Sequence, residues 1–319
     1  MTAAPGRAPL SGGGAISPLG LVREDLRRYA EDPHGFVSYA FPWGTGAMAR
    51  MTAPEDWAVD VFGVIRDHLA GARWNQPLQI AVASGHGITK SATIAQLIQW
   101  AMWCWPDCRG VITANTEPQL RTKTWPEIAK WHHLNILNKL GGEGGGAFVL
   151  TETTIYSSDP DHDKTWRFDR VTWSEHNTDA FQGLHNQGKL LLVIYDEGSN
   201  IADAVWEATE GALTDKDTVI IWLVFGNPTR NKGRFFECFH KFRNRWVCRQ
   251  IDSRTVRVTN KEDIQRKIED HQADGGEESD YVRVRVRGQF PQRSTYQLIP
   301  AAVVKGAQTR PAVAEVGDP

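Results

Sequence analysis

The sequence predicts an α/β fold in which a mainly parallel sheet carries helices on both of its faces. Two uninterrupted apolar runs, 190–195 (LLLVIY) and 219–225 (VIIWLVF), are typical of strands that are buried on both faces. Two further apolar runs, 78–83 and 109–115, are each followed by a helical pattern. Strands that alternate with helices favour a doubly wound sheet, whose chemistry lies at the carboxyl ends of its strands.

Composition and charge fit a globular protein and narrow the classes of function. The 319 residues suffice for one large domain or two smaller ones, and no apolar run approaches the ~20 residues that a membrane span needs. A net charge of −2 gives no global basic field that would indicate nucleic-acid binding. The four cysteines lack paired C-x-x-C spacing, so we expect them to be reduced in a cytosolic protein rather than bound to metal. Residues 1–20 are expected to form a disordered leader.

Amphipathic patterns predict the helices. Apolar positions recur at three- and four-residue steps over 94–105, which predicts a helix that is buried along one side and ends at Pro106. A second helix is predicted over 54–70, and a longer one over 116–140, where a threonine and a proline mark the start. A short helix and an aromatic segment are expected within 21–44.

Other segments are predicted to add strands to this alternation. The alternating pattern over 148–174 predicts an antiparallel hairpin inserted in the domain, and 245–251 predicts a further strand. Arg283, Arg285 and Arg287 alternate with valines. A strand there would present three guanidinium groups on one face, a geometry that suits a phosphate backbone or an acidic partner.

The segment 84–91 (SGHGITKS) joins the first predicted strand to its helix. A glycine turn that leads through Lys-Ser into a helix predicts a phosphate-binding loop, because backbone N–H groups and the helix N-terminus converge on one anion. The match to G-x-x-x-x-G-K-[ST] is incomplete, since Ser84 and Thr89 stand where the two glycines belong. If Thr89 must adopt a positive φ, its β-branched side chain costs on the order of 1–3 kcal/mol. An ordinary strand-to-helix turn is the alternative. The candidate ligand-binding residues are Ser84, Gly85, His86, Gly87, Ile88, Thr89, Lys90 and Ser91.

An acidic pair, Asp196 and Glu197, directly follows the apolar run 190–195. An apolar strand that ends in Asp-Glu, downstream of a phosphate-binding loop, is what the hydrolysis of Mg-ATP needs. Asp196 can hold Mg²⁺, directly or through water, together with the Ser91 hydroxyl, while Lys90 neutralises the β- and γ-phosphates. Glu197 can polarise the attacking water. A solvated loop after a strand is the alternative for this pair.

Two features follow the next predicted strand. Asn227 could reach the γ-phosphate or the nucleophilic water, and a plain Asn-Pro turn explains it equally well. Residues 230–257 contain nine Lys or Arg and two acidic residues, a local charge of +7. Some of these cations contact phosphates, either on DNA or as an arginine finger on ATP, or the whole run is a solvated face.

Six stretches of the sequence resemble a known family, the large subunit of tailed-bacteriophage terminase, over roughly residues 21–300. They are ASGHGITKS (83–91), TANTEPQLRTKTW (113–125), AFQGLH (180–185), VIYDEGS (193–199), FGNPTRNKGRF (225–235) and VRVRGQFP (284–291). The resemblance implies a P-loop NTPase of the additional-strand, catalytic-glutamate type. It places Lys90 and Ser91 in the Walker A loop, Asp196 and Glu197 in the Walker B motif, and Asn227 in the coupling motif.

The same resemblance implies a function and partners. It indicates an ATPase domain over 21–295 that uses ATP and Mg²⁺ to move double-stranded DNA into procapsids in the host cytoplasm. The implied partners are a small terminase subunit, a portal protein and further copies of the chain in a ring, with no membrane. Arg230 or Arg234, or an arginine from a neighbouring subunit, would then stabilise the charge of the transition state.

Three departures from the family pattern qualify that interpretation. The family usually has Gly where Thr89 stands, which bears on the strength of ATP binding or turnover. It commonly has Trp-Gln, whose glutamine reads adenine, where this chain has Trp57-Ala58. Family members continue into a nuclease domain, and residues 296–319 are expected to be a linker toward it, so DNA cleavage is not assigned here. The alternatives are another nucleic-acid-dependent ATPase, such as a superfamily-2-like helicase, and a catalytically weakened nucleotide-binding remnant.

Overall fold

The computed structural model describes residues 25–140, 146–173 and 184–292, and residue 308 alone beyond them. The predicted leader and the predicted linker, residue 308 apart, lie outside this part of the chain. The strands are β1 (Leu78–Ser84), β2 (Arg109–Thr113), β3 (Phe148–Leu150), β4 (Thr154–Ser157), β5 (Arg167–Arg170), β6 (Leu190–Tyr195), β7 (Val219–Gly226) and β8 (Val247–Ile251). They form one eight-stranded sheet in the order β3-β4-β5-β2-β6-β7-β1-β8.

The helices surround this sheet. They are α1 (Pro33–Ala40), α2 (Asp56–Ala70), α3 (Lys90–Cys104), α4 (Glu117–Gln119), α5 (Trp125–Leu134), α6 (Asp203–Ala212), α7 (Arg234–Phe239), α8 (Lys261–Asp270) and α9 (Asp280–Arg285). A π-helical segment, Leu120–Thr124, joins α4 to α5. No helix of the described residues is long and apolar enough to cross a membrane.

The sheet confirms the predicted fold class. Strands β5, β2, β6, β7, β1 and β8 run parallel to one another, β4 pairs antiparallel to β5, and β7 lies between β1 and β6. The strand that leads into the predicted phosphate-binding loop and the strand before the acidic pair are therefore separated by one additional strand. Every residue of β6 and β7 is buried, as their uninterrupted apolar runs predict.

Alternate residues of the central strands pack into two separate cores, one on each face. On one face, Leu192 and Leu223 pack with α1, α2, α3 and α5. On the other, Val193 and Trp222 pack with α6 and α7. Side chains of a strand point to opposite faces in turn, so the two cores explain why these strands lack a polar side.

Helix α3 corrects the prediction of a helix that is buried along one side. Every residue from Ala92 to Cys104 is buried, including Gln96 and Gln99. The helix is packed between the sheet and the helices α1 and α5, so its polar side chains are enclosed as well. A predicted apolar stripe gave the correct element but understated how much of it is covered.

The inserted hairpin and the helix before it differ in extent from their predictions. The hairpin over 148–174 consists of three short strands, β3, β4 and β5, and β5 continues into the main sheet by pairing parallel to β2. The predicted helix over 116–140 instead ends at Leu134, where the Asn135 side chain accepts a hydrogen bond from the backbone N–H of Leu137 and starts a 3₁₀ turn. The hairpin therefore extends the sheet at one edge.

The predicted strand that carries Arg283, Arg285 and Arg287 is wrong, because the first two lie in the helix α9 and Arg287 lies in the turn that follows it. The Ser279 hydroxyl accepts a hydrogen bond from the Val282 N–H and caps the helix. Val282 and Val286, four residues apart, pack with Ile264 and Ile268 of α8 in a small separate core. Arg283 and Arg287 both pair with Glu278, so these guanidinium groups serve the local fold.

Candidate nucleotide-binding site

A cavity of about 360 Å³ opens at the carboxyl edge of the sheet, where β1 leads into α3 and β6 ends. It is lined by Gly87, Ile88, Thr89, Lys90, Ser91, Ala92, Gln119, Lys123, Thr124, Glu127, Asp196 and Glu197. The lysine, the serine and the acidic pair that the sequence singles out thus face one space, although about a hundred residues separate them along the chain. This is a volume in the range that small-molecule sites occupy.

Thr89 has a left-handed backbone conformation, with φ 66° and ψ 31°. The loop therefore requires a positive φ at the position where the motif usually has glycine. A β-branched residue in this conformation costs on the order of 1–3 kcal/mol. Gly87, with φ +75°, meets the same need two residues earlier without that cost. The loop has the expected shape, and Thr89 strains it.

The first half of the loop is held by the C-terminal part of the chain. The Gly85 N–H donates to the Ile251 carbonyl (3.1 Å), and the His86 N–H donates to the Arg285 carbonyl (2.8 Å). A Cβ on Gly85 would lie 2.2 Å from the Val286 carbonyl oxygen, so only glycine fits there. Because these two N–H groups are engaged by the protein, and 84–86 do not line the cavity, the structure narrows the candidate phosphate contacts to 87–91.

The second half of the loop presents the start of α3. The first N–H groups of a helix have no carbonyl partner within the helix and are available to an anion. The Lys90 ammonium donates to the Ser84 hydroxyl (3.3 Å), which keeps its charge at the mouth of the loop. The His86 imidazole contacts the Arg285 guanidinium, and burial together with Arg285 and Lys90 lowers the pKa of His86 to about 4. His86 is therefore neutral at physiological pH.

Asp196 is 4% exposed and is held by two donors. The Thr124 hydroxyl donates to its Oδ2 (2.7 Å), and the Glu197 N–H donates to its Oδ1 (3.0 Å). Each carboxylate oxygen keeps a free lone pair, since a carboxylate accepts about four hydrogen bonds. Sequence reasoning missed Thr124, which the π-helical segment brings to the site from 72 positions earlier in the chain. Thr124 lies within the stretch 113–125 that resembles the terminase family, and this was the signal in the sequence that could have identified it.

Glu197 lines the same cavity and, like Thr89, has a left-handed backbone, with φ 55°. Burial raises the pKa of its carboxyl, and the repulsion of Asp196 adds to this, while the Lys90 charge and the Asn227 N–H act in the lowering direction. The balance leaves a carboxylate that binds a proton more readily than a free one. That property suits a general base.

Asn227 bridges the site rather than lining the cavity. Its side-chain amide donates to the Ser84 carbonyl (2.6 Å), and its own carbonyl accepts from the Ser199 hydroxyl (2.5 Å). It thereby ties the end of β7 to the start of the loop and to the turn after the acidic pair. Asn227 therefore has a connecting role in the structure, and its predicted reach to a γ-phosphate or to the nucleophilic water stays a prediction.

Four of the nine cations in the basic stretch 230–257 form ion pairs with acidic side chains. Arg234, one of the two candidate finger residues, pairs with Glu210 (2.7 Å) and lies away from the cavity, so the structure does not bring it to the site. Three more arginines pair with acids: Arg249 with Asp60, Arg254 with Asp252, and Arg257 with Glu55. Arg230 is exposed, and its predicted role stays a prediction.

The donor set fits a magnesium ion that arrives with its substrate. Mg²⁺ in proteins is commonly held by one or two carboxylates, water and substrate phosphates, and Asp196 and the Ser91 hydroxyl offer such ligands on one cavity. No group of three or more His, Cys, Asp or Glu that could hold a metal occurs among the described residues. The four cysteines are free thiols.

Helix α2 supports the loop from outside the sheet. The indole N–H of Trp57 donates to the Ile88 carbonyl (3.0 Å), and Trp57 and Ala58 are both buried. Trp57 therefore fixes the loop backbone next to Thr89. Ala58, which stands where the family commonly has glutamine, has no side-chain group that could read a base.

Comparisons with known proteins place these features beside related folds. No family model matches the chain, and no curated protein does. The chain is similar to the large terminase of a thermophilic bacteriophage, with 11% identity and a TM-score of 0.45 over 67% of this chain and 48% of that one. It is similar to the large terminase ATPase domain of Thermus phage P74-26, with 14% identity and a TM-score of 0.45 over 69% and 90%.

A second structure of the first of these large terminases, in complex with ADP, is similar at 12% identity and a TM-score of 0.39 over 53% of this chain and 39% of that one. The match spans about half the length of that terminase. Similarity to structures with 11–14% sequence identity concerns the fold alone.

Proposed function

We propose that this protein is a Mg-ATP-hydrolysing enzyme of the P-loop type. One observation supports the proposal above all: Lys90, Ser91, Asp196 and Glu197 line a single cavity at the carboxyl edge of the sheet. These residues come from the ends of β1 and β6, with β7 between them. A phosphate-binding cation, a hydroxyl and two carboxylates are the groups that phosphoryl transfer to water requires.

Each residue has a distinct task in this proposal. Lys90 and the N–H groups at the start of α3 bind the β- and γ-phosphates. Ser91 and Asp196 would hold Mg²⁺, which supplies charge neutralisation on the phosphate oxygens when it is bound. Glu197 orients water and accepts its proton, for which its raised pKa suits it. Thr124 holds Asp196 in place through its hydroxyl.

Asn227 supplies a connection between hydrolysis and the rest of the domain. It bonds the loop at Ser84 and the turn after Glu197 at Ser199, and its backbone N–H faces the Glu197 carboxyl. A displacement of either wall of the cavity is therefore transmitted to the end of β7. We infer that this contact is where loss of the γ-phosphate is coupled to motion.

The finer proposal is that hydrolysis drives double-stranded DNA into a viral procapsid. It rests on the six sequence stretches that resemble terminase large subunits. A small terminase subunit and a portal protein are the proposed partners, and copies of the chain form the active ring in the host cytoplasm. In such a ring, Arg230 or a cation of a neighbouring subunit supplies the transition-state charge.

The test is phosphate release measured with and without double-stranded DNA, on the wild-type protein and on Lys90→Ala. Loss of the phosphate-binding cation is expected to abolish both ATP binding and turnover, whereas Lys164→Ala, a matched change at an exposed lysine outside the basic stretch, is expected to leave both unchanged. Stimulation by single-stranded rather than double-stranded DNA would favour the helicase alternative. If wild-type protein binds no ATP, with procapsids present as well, the proposed enzyme is refuted.

A further inference from the structure

A second cavity, of about 170 Å³, adjoins the candidate phosphate site. The two cavities share Thr89, Ala92 and Glu127 in their walls, so they lie side by side at the start of α3. The second cavity is lined on its far side by Trp43, Met51 and Trp131, among others. A compact space with apolar and aromatic walls next to a phosphate site is suited to a flat heterocycle.

Gln96 enters this second cavity from α3. It lies seven residues after Thr89 and three after Thr93, on the helix face that lines the cavity. Its side chain is 3% exposed, and its carbonyl oxygen Oε1 has no hydrogen-bond partner among the described residues. A buried acceptor without a donor destabilises the folded protein, so the unpaired oxygen of Gln96 calls for an explanation.

Gln99, one turn further along the same helix, shows how a structural glutamine is satisfied here. Its Oε1 accepts hydrogen bonds from the side-chain amides of Asn135 (3.0 Å) and Asn138 (2.9 Å), and its amide nitrogen lies 3.2 Å from the His132 ring. The two buried glutamines therefore differ: Gln99 completes a network within the protein, while Gln96 lines a cavity and its buried Oε1 has no partner among the described residues.

We propose that the second cavity binds the base of the nucleotide and that Gln96 selects adenine. This inference rests on the proposed ATPase function and names the residue that sets its substrate. A glutamine side chain pairs with adenine through two hydrogen bonds, accepting from the exocyclic amino group and donating to a ring nitrogen. Guanine presents a carbonyl oxygen where adenine has the amino group, so Oε1 of Gln96 would meet another acceptor.

The position of Ala58 makes this assignment specific to this chain. Ala58 is buried in α2 and offers no hydrogen-bonding side chain. Trp57, beside it, already donates its indole N–H to the loop at Ile88. Trp57 and Ala58 thus offer no group that could read a base, whereas Gln96 of α3 lines the adjoining cavity with an unpaired acceptor.

The wild-type protein alone provides the first test. In the presence of Mg²⁺, we expect ATP to bind at least about tenfold more tightly than GTP, since a two-bond glutamine–adenine pair contributes about 1–3 kcal/mol of discrimination. N6,N6-dimethyl-ATP, which lacks amino protons, is expected to bind about as weakly as GTP. Equal binding of ATP and the dimethyl analogue would overturn the inference without any variant.

Two variants sharpen the test. Gln96→Met keeps the size of the side chain and is expected to reduce the ATP-to-GTP preference to near unity while leaving the binding of inorganic tripolyphosphate unchanged. Gln99→Met, the matched control, is expected to lower the melting temperature by disturbing the Asn135 network but to keep the preference for ATP.

The outcomes separate this inference from the proposed function. If tripolyphosphate and ATP bind but Gln96→Met keeps the wild-type base preference, Gln96 does not read the base, and the phosphate site stands. If neither ATP nor tripolyphosphate binds, the ATPase proposal fails and this inference with it.

Discussion

The two walls of the phosphate cavity use the same unusual backbone in different ways. Thr89 at the end of the loop after β1 and Glu197 at the end of β6 both have a positive φ, of 66° and 55°. At Thr89 the conformation belongs to the turn itself, and the family pattern has glycine there. At Glu197 the same conformation occurs at a residue whose side chain has a proposed chemical role.

The same backbone strain has different consequences at Thr89 and at Glu197. Relief of strain at Thr89 removes no group that the proposed chemistry uses, since the Thr89 hydroxyl donates to the neighbouring Ile88 carbonyl. A change at Glu197 removes a carboxylate that lies beside both Lys90 and Asn227.

The largest effect is expected at Glu197. Replacement by glutamine keeps the shape and removes the proton acceptor, so we expect ATP turnover to fall by about 10²–10⁴-fold with little change in ATP affinity. Single-turnover hydrolysis and equilibrium binding measure the two quantities. Glu207→Gln, an exposed glutamate on α6, is the control and is expected to keep wild-type turnover. Wild-type turnover in Glu197→Gln would remove Glu197 from the mechanism.

An effect of the opposite sign is expected at Thr89. Thr89→Gly relieves strain on the order of 1–3 kcal/mol, offset by roughly 0.5–1 kcal/mol of added chain entropy in the unfolded state. We expect a net gain in unfolding free energy of about 1 kcal/mol, together with tighter ATP binding or faster turnover. Chemical denaturation and phosphate release measure both.

The double variant Thr89→Gly/Glu197→Ala decides between a weakened enzyme and an inert remnant. If Thr89→Gly gains activity that the double variant lacks, the site is catalytic and Thr89 weakens it. Equal inactivity of wild type, Thr89→Gly and Glu197→Ala, with DNA and procapsids present, would instead leave only a nucleotide-binding or structural role. A loss of stability in Thr89→Gly would show that the threonine is favoured at its left-handed position.

The smallest effect concerns stability against pH. Burial raises the pKa of Glu197 in the folded protein, so the folded state binds a proton more readily than the unfolded one, and stability decreases as pH rises through that raised pKa. Glu197→Gln has no such penalty. We expect its stability advantage over wild type to be present at neutral pH and to vanish at acidic pH.

Melting temperatures of both proteins across the acidic to neutral range provide the measurement. The lowered pKa values of His86 and His132, each about 4, make both proteins less stable as pH falls below 6.5, and this contribution cancels in the difference. A difference that stays constant with pH would contradict a raised pKa at Glu197.

Most of the fold could be predicted from sequence patterns alone. Uninterrupted apolar runs identified β6 and β7 as central strands, because a strand that is covered on both faces has no polar side. Pattern reading failed at Arg283, Arg285 and Arg287, where alternation with valine suggested a strand. The capping hydroxyl of Ser279 and the packing of Val282 and Val286 on α8 override that local pattern.

The residues of the candidate site also divide into those that the sequence predicts and those that only the tertiary structure reveals. Lys90, Ser91, Asp196 and Glu197 follow from sequence, because a glycine turn before a helix and an acidic pair after a buried strand each indicate chemistry locally. Thr124, the connecting role of Asn227 and the unpaired oxygen of Gln96 came only from tertiary structure. The first two depend on partners 72 and 143 residues away, and the third depends on the lack of a partner beside a cavity, so local sequence contains none of them.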